Sequence, residues 1–223
     1  MVFVAPAVAA VRALWDRSGL SAGPVIGAQL SAFADALSAA YAAREPAAEV
    51  LVGNWLEAPR WRAQRQGTDD ELPSSTGSLS PGHARLIVAR DHGFTSWSSV
   101  AGECDPDFEL AVDAVVLGRI EELDHILADA PDLIRRLSAY GHRATLLHYT
   151  AANGVEIRRQ VVPANAAEIA ARLLDAGADP AAAIHAYGGT PDTLAMLRSS
   201  AHPRAAGVAD EIERVLRIHR ERT

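Results

Sequence analysis

Aromatic residues make up only 5% of this 223-residue chain, and runs in which β-branched and polar residues alternate are scarce. The two shortages argue against a sheet-built protein and leave an alanine-rich, nearly all-helical one. There is a single cysteine, Cys104, so no internal disulfide can form and a reducing compartment, the cytoplasm, is expected. Its neighbours Glu103, Asp105 and Asp107 are acidic and disfavour a reactive thiolate. No apolar run approaches the roughly 18 residues of a membrane span. HExxH, CxxC and close histidine pairs are missing, so no metal site is expected. Gly188-Gly189 has neither the preceding strand nor the third glycine of a nucleotide loop, so no cofactor is expected. A net charge of −7 argues against a general nucleic-acid surface, which needs a basic face.

What is present is helical periodicity. The chain is long enough for one or two domains. It starts MVFVAPAVAAVRALW, but no basic region precedes the apolar residues and Arg12, Asp16 and Arg17 follow closely. An amphipathic helix is expected there rather than a signal peptide. Within residues 1–65, an N-terminal helical segment, Val8, Val11, Leu14 and Trp15 share one face, and Leu30, Phe33, Leu37 and Tyr41 share another. Gly19 to Gly27 reads as the turn between them, and Arg44 to Pro46 interrupts the pattern before Val50, Leu51, Trp55 and Leu56. Residues 66–82 are rich in Gly, Ser, Thr, Asp and Pro and read as a flexible linker. Ser80 and Pro81 then read as an N-cap and first-turn proline, with Ala84, Ile87, Val88 and His92 on one face and Gly93 as the stop.

Residues 83–223 carry the repeats. RATLLHYTAANG, from Arg143, has Thr145, Leu147, His148, Ala151 and Gly154 at the spacing of a helix with a threonine cap and a glycine exit. AAEIAARLLDAGADP follows, with Ile169, Leu173 and Leu174 on one stripe and Gly177 as the turn into the next unit. A weaker copy lies upstream: Leu110, Ala111, Ala114 and Val115 form one helix, Gly118 breaks it, Ile120, Leu123, Ile126 and Leu127 form the next, and Pro131 marks the exit. Downstream, Thr193 and Leu194 stand at the positions of Thr145 and Leu146, and Ile212, Val215, Leu216 and His219 share a face of the last helix. A single helix pair cannot bury such stripes, so neighbouring units must cover them.

Thr145 through Asp179 resembles an ankyrin repeat, and the segment from Leu79 to Gly102 resembles one that precedes the repeats in bacterial ankyrin-repeat domain-containing proteins. The resemblance covers roughly residues 79–208. It implies an all-α, ankyrin-like helical repeat solenoid of about three units, with the N-terminal segment as a cap region. It also implies protein binding through a concave groove.

One departure from the repeat is long. About eleven extra residues separate Gly154 from Glu168, among them Arg158, Arg159 and Pro163. A loop of this kind is either functional or merely tolerated. If it covers the groove, Arg143, Tyr149, Asn153, Glu156, Arg158, Arg159 and Tyr187 are the candidate contacts for an unidentified protein partner or a small-molecule ligand. Replacing Arg158 and Arg159 by Ala is then expected to weaken capture without changing stability. The alternative is an enzyme on the same scaffold, a lyase, isomerase or cyclase acting on a secondary metabolite, with His142, His148, Asp192 and His202 as acid-base candidates. Each has a structural reading beside it. His148 suits a cap, Asp192 suits the N-cap of the helix from Thr193, and His202 before Pro203 suits a turn.

Overall fold

The computed structural model describes residues 1–18, 24–57 and 78–221. Most of the linker expected at 66–82 therefore lies outside the described residues. Two short strands, β1 (Val2–Phe3) and β2 (Val162–Pro163), pair antiparallel, and the other named elements among the described residues are helical.

Three helices open the chain. α1 (Pro6–Arg17) starts at a proline, which cannot donate a backbone hydrogen bond and so suits a first turn. It buries Val8, Val11 and Leu14. α2 (Ile26–Ala42) buries Leu30, Phe33 and Leu37, as their spacing predicts. It begins one residue before Gly27, so Ile26 and Gly27, the last two residues of the turn expected at Gly19–Gly27, are helical, while 19–23 lie outside the described residues. α3 (Pro46–Val52) runs on into a wider π turn, Gly53–Glu57. α4 (Pro81–Asp91) is capped by Ser80, whose hydroxyl accepts from the His83 N–H, and stops at Gly93 in the left-handed region. α2 packs on α4, and α1 packs on α3, so the N-terminal helices share one hydrophobic core with the rest.

α5 (Pro106–Leu117) and α6 (Ile120–Asp129) form a helical hairpin around Gly118, whose φ of 71° supplies the left-handed C-cap. The buried face of α5 is Phe108, Ala111, Val112, Ala114, Val115 and Val116. Leu110, placed in this helix by the sequence together with Ala111, Ala114 and Val115, is 53% exposed. The pattern of alanines and valines around it fits two overlapping stripes, and contacts from the rest of the chain select the one without Leu110.

The segment expected to be the first helix of the best-preserved unit is a tight 3₁₀ helix, Leu146–Ala151, with every residue buried. Ala152 turns left-handed at φ 46° and ends it before Gly154 is reached. α5, α7 (Ala166–Asp175) and α8 (Thr193–Ser199) all pack on it, so it forms the centre of the C-terminal half. Surrounded on three sides, the segment is fixed by tertiary contacts rather than by its own helix propensity.

α8 is capped by Asp192, whose carboxylate accepts from the Ala195 N–H at 2.8 Å. The position equivalent to Thr145 is thus Asp192, one residue earlier than the sequence match placed it. The triplet Ala139-Tyr140-Gly141 precedes Thr145 by the same interval as Ala186-Tyr187-Gly188 precedes Asp192. A short α9 (His202–Ala205) leads into α10 (Ala209–Arg220), which buries Ile212 and Leu216 against α7 and α8.

The inserted segment is interior, not a loop over a groove. It forms a 3₁₀ turn at Ile157–Arg159 and then β2. β2 pairs with β1, the Ala164 N–H donates to the Met1 carbonyl, and Arg12 donates to the Arg158 carbonyl at 3.0 Å. Arg158 also lies 4.0 Å from the ring centre of Trp15. The insertion is the seat on which the N-terminal strand and helix dock.

Candidate functional site

Three turns from successive parts of the chain stack side by side. The Gly141 N–H donates to the His92 carbonyl at 2.9 Å, and the His185 N–H donates to the His142 carbonyl at 2.8 Å. The approach is so close that a Cβ on Gly93 would lie 2.2 Å from the His142 nitrogen, and one on Gly141 would lie 2.5 Å from the Gly93 backbone. The last turn is a short hairpin bridged at Ala183–Asp192 and Ala186–Gly189, with Tyr187 left-handed at φ 53°. Between this hairpin and the end of α4 lies a cleft of about 700 Å³, lined among others by Trp55, Asp91, Phe94, His185, Tyr187 and Thr190. That size suits a small ligand or a few side chains of a partner.

Asp91 sits in the lining yet is only 2% exposed. Its Oδ1 accepts from the Trp55 indole N–H at 3.1 Å and from the Ile157 backbone N–H at 3.3 Å. Its Oδ2 has no hydrogen-bond partner among the described residues. Burial pushes the carboxyl up to about 7, and the Glu156 charge adds to this against the lowering effect of the two donors and Arg158. His92, next to it, is wholly buried and its pKa falls to about 3, chiefly through burial. Its Nδ1 lies 2.9 Å from the Val88 carbonyl, so the neutral ring donates there.

Behind the cleft lies a buried charged cluster. Glu156 is fully enclosed, and its Oε2 lies 3.0 Å from His142 Nε2. His142 Nδ1 accepts from the Ala144 N–H, so Nε2 carries the proton that is donated to the carboxylate. Arg159 donates to Glu156 at 3.2 Å, to Glu109 at 2.6 Å and to Asp113 at 3.0 Å. Burial opposes ionisation of Glu156, but His142, Arg159 and Arg158 outweigh it and hold the carboxyl well below its usual range. Arg158 reaches the Tyr140 hydroxyl at 3.3 Å, and burial pushes that phenol upward. All 21 basic residues of the chain are arginine, the cation best suited to several simultaneous carboxylate contacts.

The residues singled out from the sequence therefore divide. Arg158 and Arg159, expected as exposed contacts, are 8% and 4% exposed and neutralise interior acids. Glu156 and Tyr149 are buried too. A sequence pattern reads an insertion as surface, and only the docking of α1 and β1 reveals that it is covered. Arg143 is exposed and donates to the Ser138 carbonyl at 3.3 Å. Asn153 and Tyr187 do come together: the Tyr187 hydroxyl donates to Asn153 Oδ1 at 2.7 Å, at the edge of the cleft.

Of the four acid-base candidates, none lines the cleft. His142 is engaged with Glu156. His148 has Nδ1 at 2.8 Å from the Thr145 hydroxyl and 3.1 Å from the Thr145 nitrogen, and Nε2 at 3.0 Å from the Ala182 carbonyl. Donating through Nε2 and accepting through Nδ1, it is the cap of the 3₁₀ helix, and burial lowers its pKa to about 4. Asp192 caps α8 and pairs with Arg220. These contacts outweigh burial and lower its pKa. His202 stands at the start of α9, where burial lowers its pKa.

Asp91 was missed by sequence reasoning, although the signal was there. It follows Ile87 and Val88 at four and three residues, the spacing that put His92 on the apolar face, so a carboxylate on that stripe had to be buried. Among the described residues, no group of three or more His, Cys, Asp or Glu side chains is arranged to hold a metal ion. No helix among them is long and apolar enough to cross a membrane. Comparison of the chain with protein-family models, with curated proteins and with solved structures gave no match.

Proposed function

We propose that this protein is an ankyrin-like repeat scaffold that binds a protein partner through the cleft and the adjoining hairpin Ala183–Asp192. The observation that carries this reading is the exposed hairpin beside an open cleft, built on stacked turns whose backbone is fixed by hydrogen bonds from one unit to the next. Tyr187, at the hairpin tip, is 38% exposed. It adds a large amphipathic surface of the kind that dominates recognition sites. A rigid base with an exposed aromatic tip loses little entropy on association. The interior placement of Arg158, Arg159 and Glu156 moves the recognition surface from the insertion to this hairpin. An enzyme on the same scaffold would need at least two of His142, His148, Asp192 and His202 in one cavity. The cleft contains none of them, so no observation favours that reading.

Site-specific photo-crosslinking tests the assignment. A benzoylphenylalanine at Tyr187 or Thr95, both in the cleft lining, is expected to form an adduct with a discrete partner in cells. The same group at Arg214, on α10, is not. Equal labelling from Arg214, or no adduct from either cleft position, overturns the assignment.

A further inference from the structure

We propose that Asn153 and Gly154 form a site of intramolecular deamidation, promoted by the Tyr187 hydroxyl, and that the reaction unlatches the hairpin Ala183–Asp192 from α8. The reaction is independent of what the cleft binds. Asn153 is the one asparagine in the chain followed by glycine, the neighbour that leaves an attacking backbone nitrogen least hindered. The fold keeps that glycine, because its φ is 73° and a Cβ there would meet the side chains of Met196 and Ala186.

The Gly154 N–H donates to Asn153 Oδ1 at 3.0 Å, which folds the side-chain amide back over the nitrogen that attacks it. A backbone N–H can only donate, so this bond also fixes which end of the amide is oxygen. Nucleophile and electrophile are thus held together before the reaction, the condition under which an intramolecular step gains most. Oδ1 also accepts from the Tyr187 hydroxyl at 2.7 Å. Negative charge develops on this oxygen as nitrogen adds to Cγ, so both donors stabilise the tetrahedral state. Asn153 and Gly154 are half-buried and Gly154 lines the cleft, so water reaches them.

Water is the sole co-reactant. The Gly154 nitrogen gives its proton to solvent and bonds to Asn153 Cγ, the Cγ–Nδ2 bond breaks, and Nδ2 takes a proton from solvent and leaves as ammonia. A water molecule then opens the cyclic imide at either carbonyl and leaves aspartate or isoaspartate at position 153. The product reverses a contact. Nδ2 donates to Ser199 Oγ at 2.9 Å and to the Met196 carbonyl at 3.4 Å, whereas the new oxygen can only accept. Ser199 already donates to that same carbonyl at 2.9 Å, so acceptors face one another where a donor stood. Isoaspartate in addition routes the backbone through Cβ. The tie from Tyr187 through Asn153 to α8 is then lost.

The test incubates the full chain folded, and the same chain unfolded in guanidinium chloride, with tryptic peptides read by mass spectrometry over time. Peptide 144–158 has Asn153 as its sole amide side chain, and peptide 160–172, with Asn165, is the internal reference. Residue 153 is expected to convert to aspartate and isoaspartate at least as fast in the folded chain as in the unfolded one, with Asn165 unchanged in the folded chain. Tyr187→Phe is expected to slow the folded reaction about fivefold, the worth of one partly exposed hydrogen bond. Asn153→Asp is expected to speed hydrogen exchange at the Ala186 and Gly189 amides, which close the hairpin. Slower conversion in the folded chain than in the unfolded one overturns the proposal without any variant. Unchanged or faster conversion in Tyr187→Phe overturns the role of the hydroxyl, and unchanged exchange in Asn153→Asp overturns the latch.

Discussion

His142 donates its Nε2 proton to Glu156 across 3.0 Å in a place where neither side chain touches solvent. The pair joins the turn at Tyr140–Arg143 to the insertion, and Arg159 extends the link to Glu109 and Asp113 on α5. Removing one member of such a buried set costs more than the set contributes, because the remaining charges stay where water cannot reach them.

Arg159→Ala is accordingly expected to destabilise the fold by about 3–5 kcal/mol. Urea unfolding at neutral pH measures it. A loss below about 1 kcal/mol, the range of exposed ion pairs, would mean that Arg159 faces solvent in solution.

The carboxyl of Asp91 yields a pH prediction. Its pKa rises from 3.8 to about 7 on folding, so the folded state binds the extra proton between those values. The stability this contributes is full below about pH 4 and is lost as pH rises through 7, at a slope of up to about 1.4 kcal/mol per pH unit. His92 and His148 act oppositely. Their pKa values fall to about 3 and about 4, so their stabilisation is present above pH 6.5 and lost on acidification. Subtracting the stability of Asp91→Asn from that of the unaltered protein isolates the first effect. The difference should decline from pH 4 to pH 7 and level off above. A flat difference would show that Asp91 titrates as an ordinary surface carboxylate.

His148→Ala removes the cap of the central 3₁₀ helix and the tie to the Ala182 carbonyl together. A loss of about 2 kcal/mol is expected, with unchanged crosslinking from Tyr187 in the molecules that remain folded. Loss of crosslinking at full stability would instead place His148 in recognition.

Gly93→Ala tests the stacked turns. The residue is left-handed at φ 78°, and the new Cβ would meet the His142 backbone. Both strain and clash act, so the expected cost exceeds about 2 kcal/mol, read as a drop in melting temperature. By contrast, Leu110→Lys, on the exposed side of α5, should stay within about 0.5 kcal/mol, whereas Leu147→Ala in the centre should cost about 2–5 kcal/mol.

Helix positions were largely legible in the chain itself. Ser80-Pro81 marks the start of α4, Gly118 the break between α5 and α6, and Ile169, Leu173 and Leu174 the buried stripe of α7. These signals are local: a cap, a left-handed turn and a 3.6-residue period each act within a few residues. The cap reading of His148 and that of Asp192 belong to the same class, since both bonds close within three residues.

What the tertiary structure alone decided depends on segments far apart in sequence. Whether Arg158 and Arg159 face water is settled by α1 and β1, more than a hundred residues earlier, folding over the insertion. Whether the Thr145 segment is α or 3₁₀ is settled by α5, α7 and α8 closing around it. The cleft exists because α4 and the Ala183–Asp192 hairpin are brought together by hydrogen bonds between turns. A sequence specifies local geometry through steric and hydrogen-bonding preferences. Burial of a charge or the opening of a cleft is a property of surfaces that meet only after the chain has folded.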